Sequence, residues 1–398
     1  MRNARSRALW SHHGFRDYIA MKFLHTADWH LGKSLGGASF LPDQADLLRR
    51  QFLRMVEETR PDAVLIAGDV FDRAVPPVEA VELLDTLLAE IVLRLETRVV
   101  LIPGNHDAAD RLAFGAAVMR HQGLHIEARC LGGPLTLHDE HGPVTLFASG
   151  YASPALMGTI LAAATEIADH DAGFGLLCDA LRRDLPQGSR SLLVAHAFVA
   201  GGEESDSERL LQVGGAKAVS AARFAGVDYV ALGHLHRPQT LGDGRIRYSG
   251  SPIAYSFAEA GHAKSATLVE MDATGAVRIE ALPFDPPRAL RTLEGTLDAV
   301  LAQANRAWSG DWFRIRLTDP VPVWGAMERL RADFGTVLDL SFARHDLLDL
   351  PGETAGRTGD DPLDLLDAFF AAMRGAAMTA EAREVARLAI EAARAEEA

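Results

Sequence analysis

Two hydrophobic periods alternate along this chain. Lys22-Phe23-Leu24-His25-Thr26-Ala27, the run 62–67, Val99-Val100-Leu101-Ile102, Ser191-Leu192-Leu193-Val194-Ala195 and Asp228-Tyr229-Val230-Ala231-Leu232 are short, apolar and partly β-branched. Such runs predict strands buried on both faces of a sheet. Between the first three lie segments with helical spacing, 42–58 (Leu48, Phe52, Met55) and, after Pro76-Pro77, a run carrying Val81, Leu84, Leu88 and Ile91. Strand–helix alternation of this kind predicts parallel βαβ units. The middle has more hairpin character: strands 135–137 and 144–147 across a Gly142-Pro143 turn, mostly helix over 155–185, and short strands to Leu282 with turns at Asp243-Gly244 and Thr274-Gly275.

After Phe284-Asp285-Pro286-Pro287 the pattern becomes a small α+β unit, with 314–317 and 337–342 strand-like and 323–334 helical. Residues 349–360, rich in Gly and Thr, predict a linker. Two helices follow. The first has Asp361-Pro362 as cap and first residue and carries Leu366, Phe369, Phe370 and Met373 on one face. Gly375 stops it, and Thr379 caps the second.

At 398 residues, 48% hydrophobic and 24% charged, the chain has room for two or three domains. Its two cysteines, Cys130 and Cys178, lack metal-type spacing and fit a reducing cytoplasm rather than a disulfide framework. No apolar run is long enough for a membrane span. The formal charge of −14 disfavours indiscriminate nucleic-acid binding without describing any local groove. Residues 1–20 are Arg-rich, have no apolar periodicity and precede a second methionine, Met21; they read as a disordered extension.

The apolar strands end in polar residues of one chemical type: Asp28 and His30, Asp69 and Asp72, Asn105 with His106 and Asp107, His196, and His234 with His236. Open α/β sheets carry their sites at the carboxyl ends of strands. Taken singly, Asp69 reads equally well as the cap of a following helix, and any one histidine as a buried, hydrogen-bonded residue. Recurrence at five strand ends is the signal. Asp28 and His30, two apart in an extended turn, are expected to point the same way. Carboxylate, amide and imidazole donors together suit Mn²⁺, Zn²⁺ or Fe better than Mg²⁺ or Ca²⁺.

Asp28-x-His30, Gly68-Asp69-x-x-Asp72, Gly104-Asn105-His106-Asp107, the lone His196 and Gly233-His234-x-His236, in that order, resemble the motifs of the calcineurin-like metallophosphoesterase superfamily. The longer stretches 25–33, 195–202, 205–209 and 248–252 are similar to the SbcD family of nuclease subunits within it. The resemblance runs from Met21 to about Leu282 and continues more weakly through the tail.

It implies an α/β fold, a two-sheet metallophosphoesterase sandwich flanked by helices, with a small α+β capping domain and a C-terminal helical tail. The implied layout is an extension (1–20), a nuclease domain (21–284), a DNA-capping domain (285–348), a linker (349–360) and a partner-docking tail (361–398). The implied cofactors are two divalent metal ions, taken as Mn²⁺, and one of them falls to Asp28, His30, Asp69 and His236. A second falls to Asp69, Asn105, His196 and His234, with Asp69 bridging. His106 is then an acid or electrostatic donor at the phosphate, and Asp72 a supporting catalytic residue where some relatives carry histidine. Asp107 is expected to orient a histidine.

The implied activity is a 3′→5′ double-strand exonuclease and single-strand endonuclease in DNA end processing, replication, recombination and repair. The implied assembly is a heterotetramer, two of each subunit, with an SbcC-type ATPase, the nuclease domains forming a homodimer through helices 42–58 and 77–92. Lys33, Arg73, Lys217 and Arg237 flank the motifs as candidate phosphate contacts. The metal motifs fit equally a phosphodiesterase or phosphatase acting on a small nucleotide or phosphoprotein. A non-catalytic DNA-end scaffold is a third reading, and the complete ligand set argues against it.

Overall fold

A computed structural model describes residues 21–163, 166–204, 218–321, 323–343, 361–374 and 377–396. The extension 1–20, the stretch 205–209, Lys217, residues 344–348 of the cap, the linker and Gly375 therefore lie outside the described residues. The chain divides into two compact units, Met1–Ser341 and Phe342–Ala398.

In chain order the strands are β1 (Met21–Thr26), β2 (Ser34–Leu35), β3 (Ala38–Ser39), β4 (Ala63–Ala67), β5 (Arg98–Ile102) and β6 (Leu124–Ile126). There follow β7 (Leu135–Asp139), β8 (Gly142–Ser149), β9 (Arg190–His196), β10 (Tyr229–Gly233), β11 (Gln239–Leu241), β12 (Ile246–Tyr248), β13 (Ser265–Met271) and β14 (Val277–Pro283). They build two six-stranded sheets, in the orders β14-β13-β1-β4-β5-β6 and β11-β12-β10-β9-β8-β7. β1, β4, β5 and β6 are parallel, as are β8, β9, β10 and β12, with antiparallel strands at the edges.

Period-2 geometry explains why the central strands are apolar throughout. In β4, Ala63, Leu65 and Ala67 face a core shared with Leu192, Val194 and Ala231 of the second sheet. Val64 and Ile66 of the same strand face Leu47, Phe52, Leu84 and Leu87 on the helices covering the first sheet. Helices Pro154–Ile160 and His170–Asp184 cover the outer face of the second, around Phe174, Leu177 and Leu181. The order is helix, sheet, sheet, helix, as expected from the sequence. The predicted helix 42–58 runs as Leu41–Leu47, a π-helical stretch Leu48–Phe52 and Leu53–Thr59. The β7–β8 turn falls at Glu140-His141, so Gly142-Pro143 begins a strand instead of forming the turn.

Past Pro283 the chain forms a small three-stranded unit in the order β15-β16-β17. β15 (Leu290–Gly295), helix Leu297–Leu301 and β16 (Trp312–Leu317) make a β-helix-β crossover, and helix Ala326–Phe334 leads to β17 (Thr336–Phe342). The second unit carries two helices, Pro362–Arg374 and Ala380–Glu396. Thr379 caps the later helix by accepting from Ala382 N at 3.2 Å, and Asp367 accepts from Met378 N at 3.0 Å and pairs with Arg383. Among the described residues no helix is long and apolar enough to cross a membrane.

Candidate metal centre

Strand register delivers the polar residues to one edge. Ile66 stands beside Thr26, Ala67 beside Ile102, and Gly233 beside His196, so the loops after β1, β4, β5, β9 and β10 all open at the carboxyl ends of their strands.

These loops are not extended. Asp28, His30 and Asp69 have φ of 54°, 43° and 48°, and His234 has φ 108°. An L-residue in the left-handed region costs about 1–2 kcal/mol, and such costs collect where side chains must converge. Asp28 and His30 therefore meet through two left-handed residues rather than by period-2 alternation. The backbone is held there: Asp28 N donates to Gly68 O at 3.0 Å, His30 N to Asp69 O at 2.9 Å and Leu31 N to Val70 O at 2.9 Å.

All seven candidate ligands come together. On one side His30 Nε2 and His236 Nε2 lie 3.1 Å apart, and His30 Nε2 is 3.5 Å from Asp69 Oδ2. On the other, Asn105 Oδ1 lies 3.0 Å from His196 Nε2 and 3.1 Å from His234 Nδ1, and His196 Nε2 is 3.4 Å from the same Asp69 oxygen. Ligand atoms of Asp28, Asp69 and His196 lie within 4.8 Å of one another, as do those of His30, Asp69 and His106. Asp69 belongs to both groups, the position a bridging carboxylate needs.

The donor set fits cations. His196 donates Nδ1–H to Ala67 O at 2.9 Å, and His236 donates its own toward Glu259 Oε1 at 3.1 Å. Each ring therefore turns Nε2 toward other donor atoms, His236 toward His30 Nε2 and His196 toward Asp69 Oδ2 and Asn105 Oδ1, an arrangement suited to positive charge among them. Among the described residues, neither Asp28 Oδ2 nor His30 Nδ1, both buried, has a hydrogen-bond partner. An unpaired buried carboxylate oxygen is costly.

The electrostatics agree. Burial raises Asp28 to about 7, against the neighbouring His196 and His236, which pull it down. Burial and the neighbouring His196 push His234 down to about 3, and burial also holds His30 well below its usual value. Both rings thus stay neutral, the form that ligates. His196 moves the other way: burial would lower it, but the Asp69 carboxylate outweighs this and lifts it to about 9. A proton there stands where a cation would serve the same carboxylates.

His106 stands at the rim. Its Nδ1 donates to Asp72 O at 2.8 Å, and its backbone N–H to Asp69 Oδ1 at 3.0 Å. The Asp72 carboxylate takes Lys33 Nζ at 2.7 Å and lies 3.7 Å from His30 Nδ1. Asp107 orients no histidine here: its carboxylate accepts from Val70 N, Phe71 N and Gly104 N at 2.9–3.0 Å and ties the β4 and β5 loops together. Of the proposed phosphate contacts, Lys33 and Arg237 are already ion-paired, with Asp72 and Glu203, while Arg73 is exposed.

Sequence reasoning missed Glu259 and Lys264. Both are buried; Glu259 accepts from His236 and from Lys264 Nζ, the latter at 2.7 Å. Burial alone would raise Glu259, but His236 and Lys264 hold it far below the usual range. Their only signal was one acid and one base five residues apart in Tyr255 to Ser265, a stretch with no other Asp, Glu, Lys or Arg.

Family comparison agrees with this geometry. Residues 21–238 match the model described as calcineurin-like phosphoesterase. Residues 286–374 match a second model, of the SbcD type, described as "Type 5 capsule protein repressor C-terminal domain". Among solved structures, a dimetal phosphatase from Danio rerio is similar at 14% identity and a TM-score of 0.41, covering 66% of this chain and 96% of that one. With the phosphoesterase model matched over more than half its length and the motif residues gathered at one sheet edge, the chain belongs to the calcineurin-like phosphoesterase family.

Proposed function

We propose that this phosphoesterase is a DNA nuclease of the SbcD type, a 3′→5′ exonuclease on double strands and an endonuclease on single strands. It acts in the cytoplasm with an SbcC-type ATPase in DNA end processing, replication, recombination and repair. A metal-dependent phosphoesterase follows from the family; the step to DNA is the proposal. The observation that carries it is the SbcD-type match over 286–374, directly behind the phosphoesterase domain. In the proposed layout, residues 285–348 cap the DNA and 361–398 dock the ATPase across the linker 349–360.

One Mn²⁺ would be held by Asp28, His30, Asp69 and His236, and a second by Asp69, Asn105, His196 and His234. Bound there, the ions supply charge to a phosphodiester and an activated water. The chain's own residues do the rest. The bond from Nδ1 to the Asp72 carbonyl fixes the His106 ring, so that its imidazolium form can give the Nε2 proton to a leaving oxygen and return to the neutral Nδ1–H form. Asp72 thus acts through its backbone on His106, and through its carboxylate on Lys33 and His30. Glu259 and Lys264 orient His236, as outer partners of ligating histidines do.

The reading includes a homodimer of nuclease domains, two chains joining two ATPase subunits. The helix beginning at Leu41 turns its apolar side chains into its own domain. Exposed apolar residues Val78 and Val81 of helix Val78–Ala89, Leu93 just beyond it, and Phe114 and Val118 lie nearby in sequence, and Val81, Leu93, Phe114 and the half-buried Met119 line a groove of about 660 Å³.

The test uses the purified full chain with Mn²⁺, alone and with the ATPase. End-labelled duplex, single-stranded DNA, a cyclic nucleotide and a phosphopeptide are offered in parallel. Degradation of duplex from 3′ ends with little turnover of the small esters is expected. Turnover of the nucleotide or phosphopeptide, without DNA cleavage under either condition, would assign the small-substrate alternative instead.

A further inference from the structure

One buried side chain ties the metal loop to the cap. Gln44, on the first turns of helix Leu41–Leu47, is 1% exposed. Its Nε2 donates to Trp29 O at 2.9 Å, His30 O at 2.8 Å and Tyr255 Oη at 3.0 Å, while its Oε1 accepts from Gly32 N at 3.1 Å. The bracketed loop carries His30 in its left-handed conformation. Tyr255 seals the arrangement, donating its own hydroxyl to Trp29 O and packing edge-on against both His30 and His236.

The same helix is gripped from the other side by the segment that leads into the cap. Arg288 Nη2 donates to Asp43 Oδ1 at 2.8 Å, and the Arg288 guanidinium lies 4.9 Å over the Trp312 ring of β16. Trp312 packs on Phe40 at 4.6 Å, the residue that opens the helix, and Phe40 on Tyr255 at 5.5 Å. Gln51 and Asp285 exchange two further bonds, Gln51 Nε2 to Asp285 O at 2.6 Å and Asp285 N to Gln51 Oε1 at 2.9 Å. Adjacent residues thus face in two directions, Asp43 toward the cap and Gln44 toward the metal loop.

We propose that Gln44 is a positioning residue for His30, and that the Asp43–Arg288 ion pair makes seating of the cap part of what sets metal affinity at the His30–His236 side. This rests on the metal-centre reading above. Gln44 touches no ligand side chain; it acts on the backbone that aims His30. A cap that shifts with DNA or with a partner would move the helix, and through Gln44 the ligand, so nucleic-acid binding and metal occupancy are coupled.

The test titrates Mn²⁺ calorimetrically into metal-stripped full-length chain, with melting temperatures taken alongside. Gln44→Met keeps the volume and deletes all four bonds; it should weaken one of two Mn²⁺ sites by about 10–100-fold and spare the other. Arg288→Met should shift the same site in the same direction by less. His236→Ala is the reference and should lose that site. If His236→Ala binds Mn²⁺ like the parent, the metal-centre reading itself fails. If His236→Ala loses a site while Gln44→Met does not, or if Gln44→Met weakens both sites equally, the positioning role is wrong. An unchanged Arg288→Met overturns the link to the cap. Should Gln44→Met fail to fold, Tyr255→Phe removes one bond to Gln44 and one to Trp29 O. It should weaken the same site, and unchanged binding there counts against the proposal.

Discussion

Gly68 stands so close to His196 that a methyl group on its Cα would lie 2.4 Å from the ring's Nδ1. That nitrogen already donates to the Ala67 carbonyl, and Gly68 has φ +89°, a conformation side chains rarely adopt. The turn after β4 can therefore carry Asp69 to the bridging position only because the residue before it has no side chain.

The first prediction follows. Gly68→Ala should displace His196 and lower Mn²⁺ stoichiometry, with a stability loss of about 1–3 kcal/mol from the backbone strain. Gly37→Ala is the control: its φ is +82°, but an added Cβ there meets nothing within 4 Å. It should show the strain cost with full metal binding. Equal metal content in the two variants, by atomic emission on dialysed protein, would show that the turn tolerates a side chain.

Much of this was legible in the sequence because parallel strands buried on both faces leave a plain mark. Val64 and Ile66 pack outward and Leu65 inward, so β4 reads as one apolar run whose end is unmistakable. Other features left no such mark. In β15 the buried residues are Leu290 and Leu293, three apart among Arg, Thr and Glu, a spacing that reads as helix as readily as strand. The left-handed turns at Asp28 and His30 arise from bonds to the β4 loop, residues far away in sequence. Glu259 and Lys264 became interpretable only when the fold buried them beside His236.

His106→Ala should keep both metal ions and lose about 10²–10⁴-fold in phosphodiester cleavage, the usual worth of a general acid. Its ring lies close enough to His30 and Asp69 for ligation to be a real competitor. Metal content decides between the two: if bound Mn²⁺ falls in step with the rate, His106 is a ligand and not the acid.

Phe114→Glu tests the homodimer. Phe114 is 86% exposed and borders the apolar groove, so a charge there should leave the melting temperature nearly unchanged, as surface substitutions generally do. It should convert a dimer to a monomer by light scattering at micromolar concentration. Leu84→Glu cannot serve, because Leu84 is buried in the domain's own core and the change would unfold it. A parent chain that is already monomeric, or a Phe114→Glu variant that stays dimeric, would place the contact elsewhere or remove it.

The last prediction concerns the tail. Helices Pro362–Arg374 and Ala380–Glu396 are joined by Arg383, which pairs with Asp364 at 2.5 Å and also with Asp367. Leu366 and Phe369 remain exposed, Phe369 at 62%, and so do Val385 and Leu388 on the second helix. Phe370 is half-buried, and the Met373 side chain lies outside the described residues. Burying a large apolar side chain contributes about 1.5–3 kcal/mol, so a few such residues can decide binding to a helical partner, a common mode of recognition. Truncation before Asp361 should abolish co-purification with the ATPase while leaving Mn²⁺-dependent cleavage of single-stranded DNA intact. A truncated chain that still binds the ATPase would move the docking site into the first unit. One that loses single-strand cleavage would make the tail part of the nuclease itself.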